Sequence, residues 1–126
     1  FTKQDEVGKQ DIHFDPGEQD CAWAGVCYLT PGVADMVDGT IFWRHKRTGL
    51  EAIPLTEEGI KDFPNTKKFL ETEGIDHSLW DKVMSIPYKY NRLVLFRPWL
   101  FHSPGVGFGD MIDNCRLVQT FFLSMC

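Results

Sequence analysis

The sequence predicts a mainly β fold, an antiparallel sandwich or barrel that carries a short helical insertion. Three observations lead there. Short runs rich in Val, Ile, Leu, Thr and aromatic residues recur along the chain, each bounded by Pro, Gly, Asn or Asp. The one stretch of helical texture, residues 51–84, lies between such runs and does not alternate with them, so no βαβ unit supports a parallel sheet. The 126 residues fit one domain, read over 1–126, and 10 Phe, 4 Trp and 3 Tyr supply bulk for its core.

Element by element, residues 1–11 are polar and read as an arm or edge. Residues 22–30 (AWAGVCYLT) form a β-prone run that Pro31-Gly32 stops. Alternation places Trp23, Gly25, Cys27 and Leu29 on one face and Val26 and Tyr28 on the other. Residues 39–44 (GTIFWR) make the next strand. Asn65 caps a short helix over 66–73 that Gly74 ends, and Asp76 caps a second over 77–84. Strands return at 92–96, 99–102 and 116–123. In the last, Arg116, Val118, Thr120 and Phe122 share a face. The aromatic pairs around Phe42-Trp43 and Trp99 to Phe101 read as core, and His77 as a surface histidine.

Lys+Arg 13 against Asp+Glu 18 gives a net charge of −5, which excludes a dedicated nucleic-acid or anionic-membrane binder. At 43% hydrophobic and 25% charged the composition is that of a globular domain. No apolar run approaches the ~20 residues of a membrane helix, and the start lacks a signal-peptide pattern. Cys21, Cys27, Cys115 and Cys126 contain no CxxC pair and read as free thiols in a reducing, cytoplasmic compartment. The first residue is Phe1, so a processed, excised or incomplete chain is expected.

Chemistry concentrates in three places. In His13-Phe14-Asp15 an extended backbone projects an imidazole and a carboxylate to one side, as two adjacent ligands of a divalent metal require. Alone, this pattern is far more often an exposed histidine near a strand start. His102 ends an apolar run ahead of a glycine-rich loop; brought beside the first pair, it completes a facial triad with open positions for cosubstrate and O₂. The same ligands suit zinc, although structural zinc closes its fourth position with Cys or His. Arg116 opens the last strand, where its planar fork suits a bidentate carboxylate. The plainer alternative pairs it with Asp110 or Asp113 at the rim. Arg44-His45-Lys46-Arg47 is a local positive patch, a solvated loop or a weak reception site for an anionic substrate through Arg44 and His45.

Taken in order, His13-x-Asp15, His102 and Arg116 resemble the iron(II)- and 2-oxoglutarate-dependent dioxygenases, most closely the prolyl-hydroxylase-type branch. Between the ligands, Tyr28-Leu29-Thr30 is similar to that branch's Tyr-Leu-Asn strand end, and Asp38-Gly39-Thr40 to its Gly-Gly turn. Tyr90 to Phe96 (YNRLVLF) resembles the strand leading to the distal histidine, and Arg116-Leu117 with Phe121-Phe122 the closing strand. The likeness runs from His13 to Leu123. In that family a strand and helices precede the HxD pair, whereas only twelve residues precede it here, so that layer is expected to be missing or supplied from elsewhere.

The resemblance implies a double-stranded β-helix (jelly roll) with Fe(II) on His13, Asp15 and His102. It further implies 2-oxoglutarate as cosubstrate, its distal carboxylate on Arg116 with help from Tyr28. The implied reaction hydroxylates an unidentified small-molecule or peptidyl substrate and releases succinate and CO₂. Two alternatives stand beside it: a cupin-like metal enzyme that does not use 2-oxoglutarate, and a catalytically inactive jelly-roll binding or assembly module.

Overall fold

The computed structural model describes residues 11–15, 21–54 and 63–124; all but Asp11 of the arm expected over residues 1–11 lies outside them, as does Cys126. Six strands form two antiparallel three-stranded sheets. β1 (Cys21–Tyr28) is the centre of one, flanked by β4 (Leu93–Phe96) and β6 (Val118–Ser124). β2 (Asp38–His45) is the centre of the other, between β3 (Trp80–Pro87) and β5 (His102–Pro104). The one α-helix among the described residues is α1 (Phe63–Glu73). No helix among them is long and apolar enough to cross a membrane.

The burial of β2 explains its sequence. Ile41 and Trp43 look outward into a cluster with Ile12, Phe14, Leu70 of α1, Trp80 and Phe101. Phe42 looks the other way, into a second cluster with Val26, Tyr28, Tyr88 and Phe96 between the sheets. A strand covered on both faces reads as a continuous apolar run without alternation, which is what GTIFWR shows. β1 is covered on one face only: Ala24, Val26 and Tyr28 are buried, while Trp23 on the opposite face is partly exposed. The expected faces of this strand are those observed.

The second helix expected over residues 77–84 does not form. Asp76 does cap a helical turn, its carboxylate accepting from the Ser78 amide at 3.0 Å, but the turn is a 3-10 helix of three residues, His77–Leu79. From Trp80 the chain is extended and pairs with β2 in a register running from His45↔Trp80 to Asp38↔Pro87. The cap signal is genuine, but Val83 and Ile86, β-branched and beside a free strand edge, turn the chain to strand after a single turn. Two boundaries also move. α1 begins at Phe63, with Pro64 in its first turn where a missing N–H costs nothing, so Asn65 lies inside the helix. β5 starts at His102, not at 99, because residues 99–101 are held by the 51–53 segment: Phe101 N–H donates to Glu51 O at 2.9 Å and Ile53 N–H to Trp99 O at 3.1 Å. Cys27 and Cys115 are free thiols.

Candidate metal centre

Residues 11–15 are stitched into place by backbone hydrogen bonds from three directions. Ile12 N–H donates to Gly74 O at 3.0 Å, tying the segment to the end of α1. A Cβ on Gly74 would sit 2.4 Å from Ile12 O, so this approach requires glycine. His13 and His102 exchange amide bonds in both directions, at 2.9 and 2.8 Å, and Asp15 N–H donates to Pro98 O at 2.8 Å. Residues that are remote in sequence thus become a directly opposed antiparallel pair.

That pairing brings the His13, Asp15 and His102 side chains together. One ligand atom from each lies within 4.8 Å of the others, so the three can hold a metal ion. Asp15 sits between the rings, Oδ2 at 3.2 Å from His102 Nε2 and Oδ1 at 3.7 Å from His13 Nε2. Both imidazoles are oriented from behind. His13 Nδ1 is 2.8 Å from Asp11 O and His102 Nδ1 is 2.7 Å from Leu100 O. A carbonyl only accepts, so each Nδ1 carries the proton and each Nε2 in the neutral ring keeps its lone pair for a ligand bond. Burial, and then the facing His102 ring, hold the His13 pKa below its ordinary value. For Asp15, burial pushes upward, but the hydrogen bond and charge of His102 prevail and the carboxyl stays below the usual range. A metal ion taking the place of a proton on His102 Nε2 would meet two neutral imidazoles and an ionised carboxylate, a donor set suited to a divalent transition metal.

The three residues line one part of a cavity of about 250 Å³ between the sheets, and Arg116 lines another. Its remaining wall includes Val26, Thr40, Phe96, Val118, Thr120 and Phe122, so the face expected for β6 is the cavity face. Arg116 is buried, and its guanidinium donates to Asp38 O at 3.1 Å and to Gly39 O. It forms no carboxylate ion pair among the described residues; the rim pairing with Asp110 or Asp113 is not observed, Asp110 being bonded to Asn114. Burial pulls the Arg116 pKa down, opposed by the Tyr28 and Tyr88 hydroxyls and Asp38.

Two expectations need correction. Tyr28 is fully buried and does not line the cavity; its hydroxyl bonds Thr40 Oγ1 at 2.7 Å, and Thr40 is the residue that faces the space. Arg44 and His45 are not brought to the cavity either. Arg44 pairs with Glu51, while His45 is buried with Nε2 2.8 Å from Glu73 Oε2 and Nδ1 3.0 Å from Thr48 Oγ1. A histidine inside a basic run reads as surface, yet the phase it shares with Ile41 and Trp43 puts it under α1.

Sequence reasoning missed Tyr88. Its ring stacks on Tyr28 at 4.5 Å and lies 5.1 Å from the Arg116 guanidinium carbon. Its hydroxyl accepts from Thr30 N–H at 3.0 Å and donates to Leu117 O at 2.6 Å. A tyrosine just after a strand-ending proline carries no local signal of this role. Phe96 was assigned to a strand but not to the site, where its ring meets His102 edge-on at 4.6 Å.

No curated protein and no solved structure matches the chain. A family profile does, over residues 7–122, which covers both halves of the metal-ligand set and Arg116. The chain belongs to that family, a family of unknown function (DUF6445).

Proposed function

We propose that this protein is an iron(II)- and 2-oxoglutarate-dependent oxygenase of the prolyl-hydroxylase type, hydroxylating its substrate with release of succinate and CO₂. One observation carries the reading. A two-histidine, one-carboxylate cluster shares a cavity with a buried arginine that has no carboxylate partner among the described residues. The first suits a metal with open positions, and the second suits the far carboxylate of a dicarboxylic oxo acid.

The strand pairing supports a jelly roll. Pairs nest about the β2–β3 connection: β2 with β3, then β1 with β4, then residue 13 with β5. Such nesting is what winding one long antiparallel ribbon into two facing sheets produces.

Bound at His13, Asp15 and His102, iron would supply O₂ activation coupled to decarboxylation of the oxo acid. The chain's own residues do the rest. Asp11 O and Leu100 O keep both Nε2 atoms aimed at the metal position. Arg116, fixed by the Asp38 and Gly39 carbonyls, fixes the cosubstrate's far end, with the Thr40 hydroxyl in the same wall. Val26, Phe96 and Val118 form an apolar lining that limits water around the reacting groups.

Anaerobic calorimetric titration of 2-oxoglutarate into iron-loaded protein tests this. Wild type should bind one equivalent. Arg116→Leu should weaken the oxo acid by about 2–4 kcal/mol, as for loss of one partner of a buried charge pair, and leave iron affinity nearly unchanged. Asp15→Ala should abolish iron retention without unfolding the protein, since the carboxylate is the donor set's only charge. Iron binding without oxo-acid binding would reassign the centre to a metal enzyme of another kind, and absence of iron binding would defeat the enzyme reading.

A further inference from the structure

A second cavity, of about 400 Å³, opens at the other side of the sandwich where the edges of β3 and β4 approach. It lies within the roughly 300–1,000 Å³ range of small-molecule sites. Its walls are aliphatic and aromatic, with Phe42, Val83, Met84, Ile86 and Leu95 among them. Two charged residues line it, Glu51 and Arg97. The Glu51 carboxylate is taken up by Arg44, which reaches it through Nε at 2.9 Å and through its terminal nitrogen.

Arg97 is different. Its guanidinium lies 3.8 Å from the centre of the Trp23 ring and 5.5 Å from that of Trp99, and one N–H donates to Ala22 O at 2.7 Å. No carboxylate pairs with it among the described residues. The planar group is therefore stacked, oriented and without a carboxylate partner among the described residues, on the wall of an apolar space. That combination selects an amphiphilic anion: a hydrocarbon body for the walls and a carboxylate for the fork.

We infer that this cavity binds an aliphatic carboxylate, the chain lying among Phe42, Met84, Ile86 and Leu95 and the head group meeting Arg97. The inference stands apart from the metal centre's chemistry, although Phe96 lines both cavities.

The test uses decanoate as probe, with decanol as its uncharged counterpart, titrated into the full chain and followed by tryptophan fluorescence; Trp23 and Trp43 both line the cavity. Decanoate should bind saturably and more tightly than decanol. Arg97→Leu should weaken decanoate roughly tenfold or more while leaving decanol unchanged. Met84 is half exposed, so Met84→Glu should fold normally and should repel decanoate. Arg116→Leu should bind decanoate as wild type does. The inference is overturned if decanoate does not saturate, if decanol binds equally well, or if neither Arg97→Leu nor Met84→Glu weakens decanoate. Loss of binding in Arg116→Leu would equally overturn it, by placing the carboxylate in the first cavity.

Discussion

Gly39 is the smallest residue near Arg116 and among the most constrained. Its carbonyl receives the guanidinium, and a Cβ built on it would lie 2.5 Å from the Tyr28 hydroxyl and 2.7 Å from Ile86 O. Neither neighbour has room to yield: Tyr28 is fully buried, and Ile86 O belongs to backbone. Gly39→Ala should therefore cost about 1–3 kcal/mol of stability, the usual range for overpacking a tight interior. It should also weaken 2-oxoglutarate more than iron, because it displaces the acceptor that aims Arg116 and leaves the ligand cluster alone. Thermal melts combined with separate titrations of metal and oxo acid check both halves; equal weakening of the two would mean that the damage is general.

Among the elements, α1 has the most distinctive attachment. Leu70 enters the outer cluster, the Trp80 indole donates to Glu73 O at 2.9 Å, and the Glu73 carboxylate reaches His45 of β2 and Arg47. Glu73 Oε2 is buried and lies 2.8 Å from His45 Nε2, a contact that does not complete a hydrogen bond. Removing it strands a buried imidazole, so Glu73→Ala should lower stability by about 1–3 kcal/mol in urea denaturation. Such elements were unevenly legible in the sequence. β1, β4 and β6 are legible through β-branched and aromatic runs with Pro or Asn at a boundary, and His13, Asp15 and His102 through their order along the chain. β3 was hidden behind a real helix cap, since a cap states that a turn begins and says nothing of its length. His45 was hidden because composition reports charge, whereas burial depends on which face a packed helix covers. Tyr28 was placed on the correct face, but which of two inward hydroxyls reaches the cavity is decided by packing across the sheets.

At the scale of the whole molecule, acid stability should carry the signature of Asp38, which joins the start of β2 to β3. The Ser85 hydroxyl, and then the Lys82 ammonium at 3.1 Å, hold its carboxyl below the usual range against the opposing effect of burial. A folded-state pKa below the unfolded value of about 3.9 means that this stabilisation is complete above about pH 4 and disappears as pH falls through the depressed value. Wild type should thus be more stable than Asp38→Asn near neutrality, and the difference should shrink below about pH 4 in chemical denaturation curves. Divalent metal should act across the same scale. The proposed ligands, His13, Asp15 and His102, lie far apart along the chain and meet only in the folded state, so added metal should raise the melting temperature with its concentration, and Asp15→Ala should not respond.

The reciprocal amides of His13 and His102 have a further consequence, one of time. Each N–H is closed by the other residue's carbonyl, so neither proton can exchange with solvent until the segment carrying His13 lifts away from β5. A metal held by both imidazoles would make that lifting require loss of a ligand. Deuterium uptake at these two positions would then slow together on metal addition, while uptake at the β3 edge stayed as it was. Two neighbouring protons would serve as a clock for how long the centre remains shut.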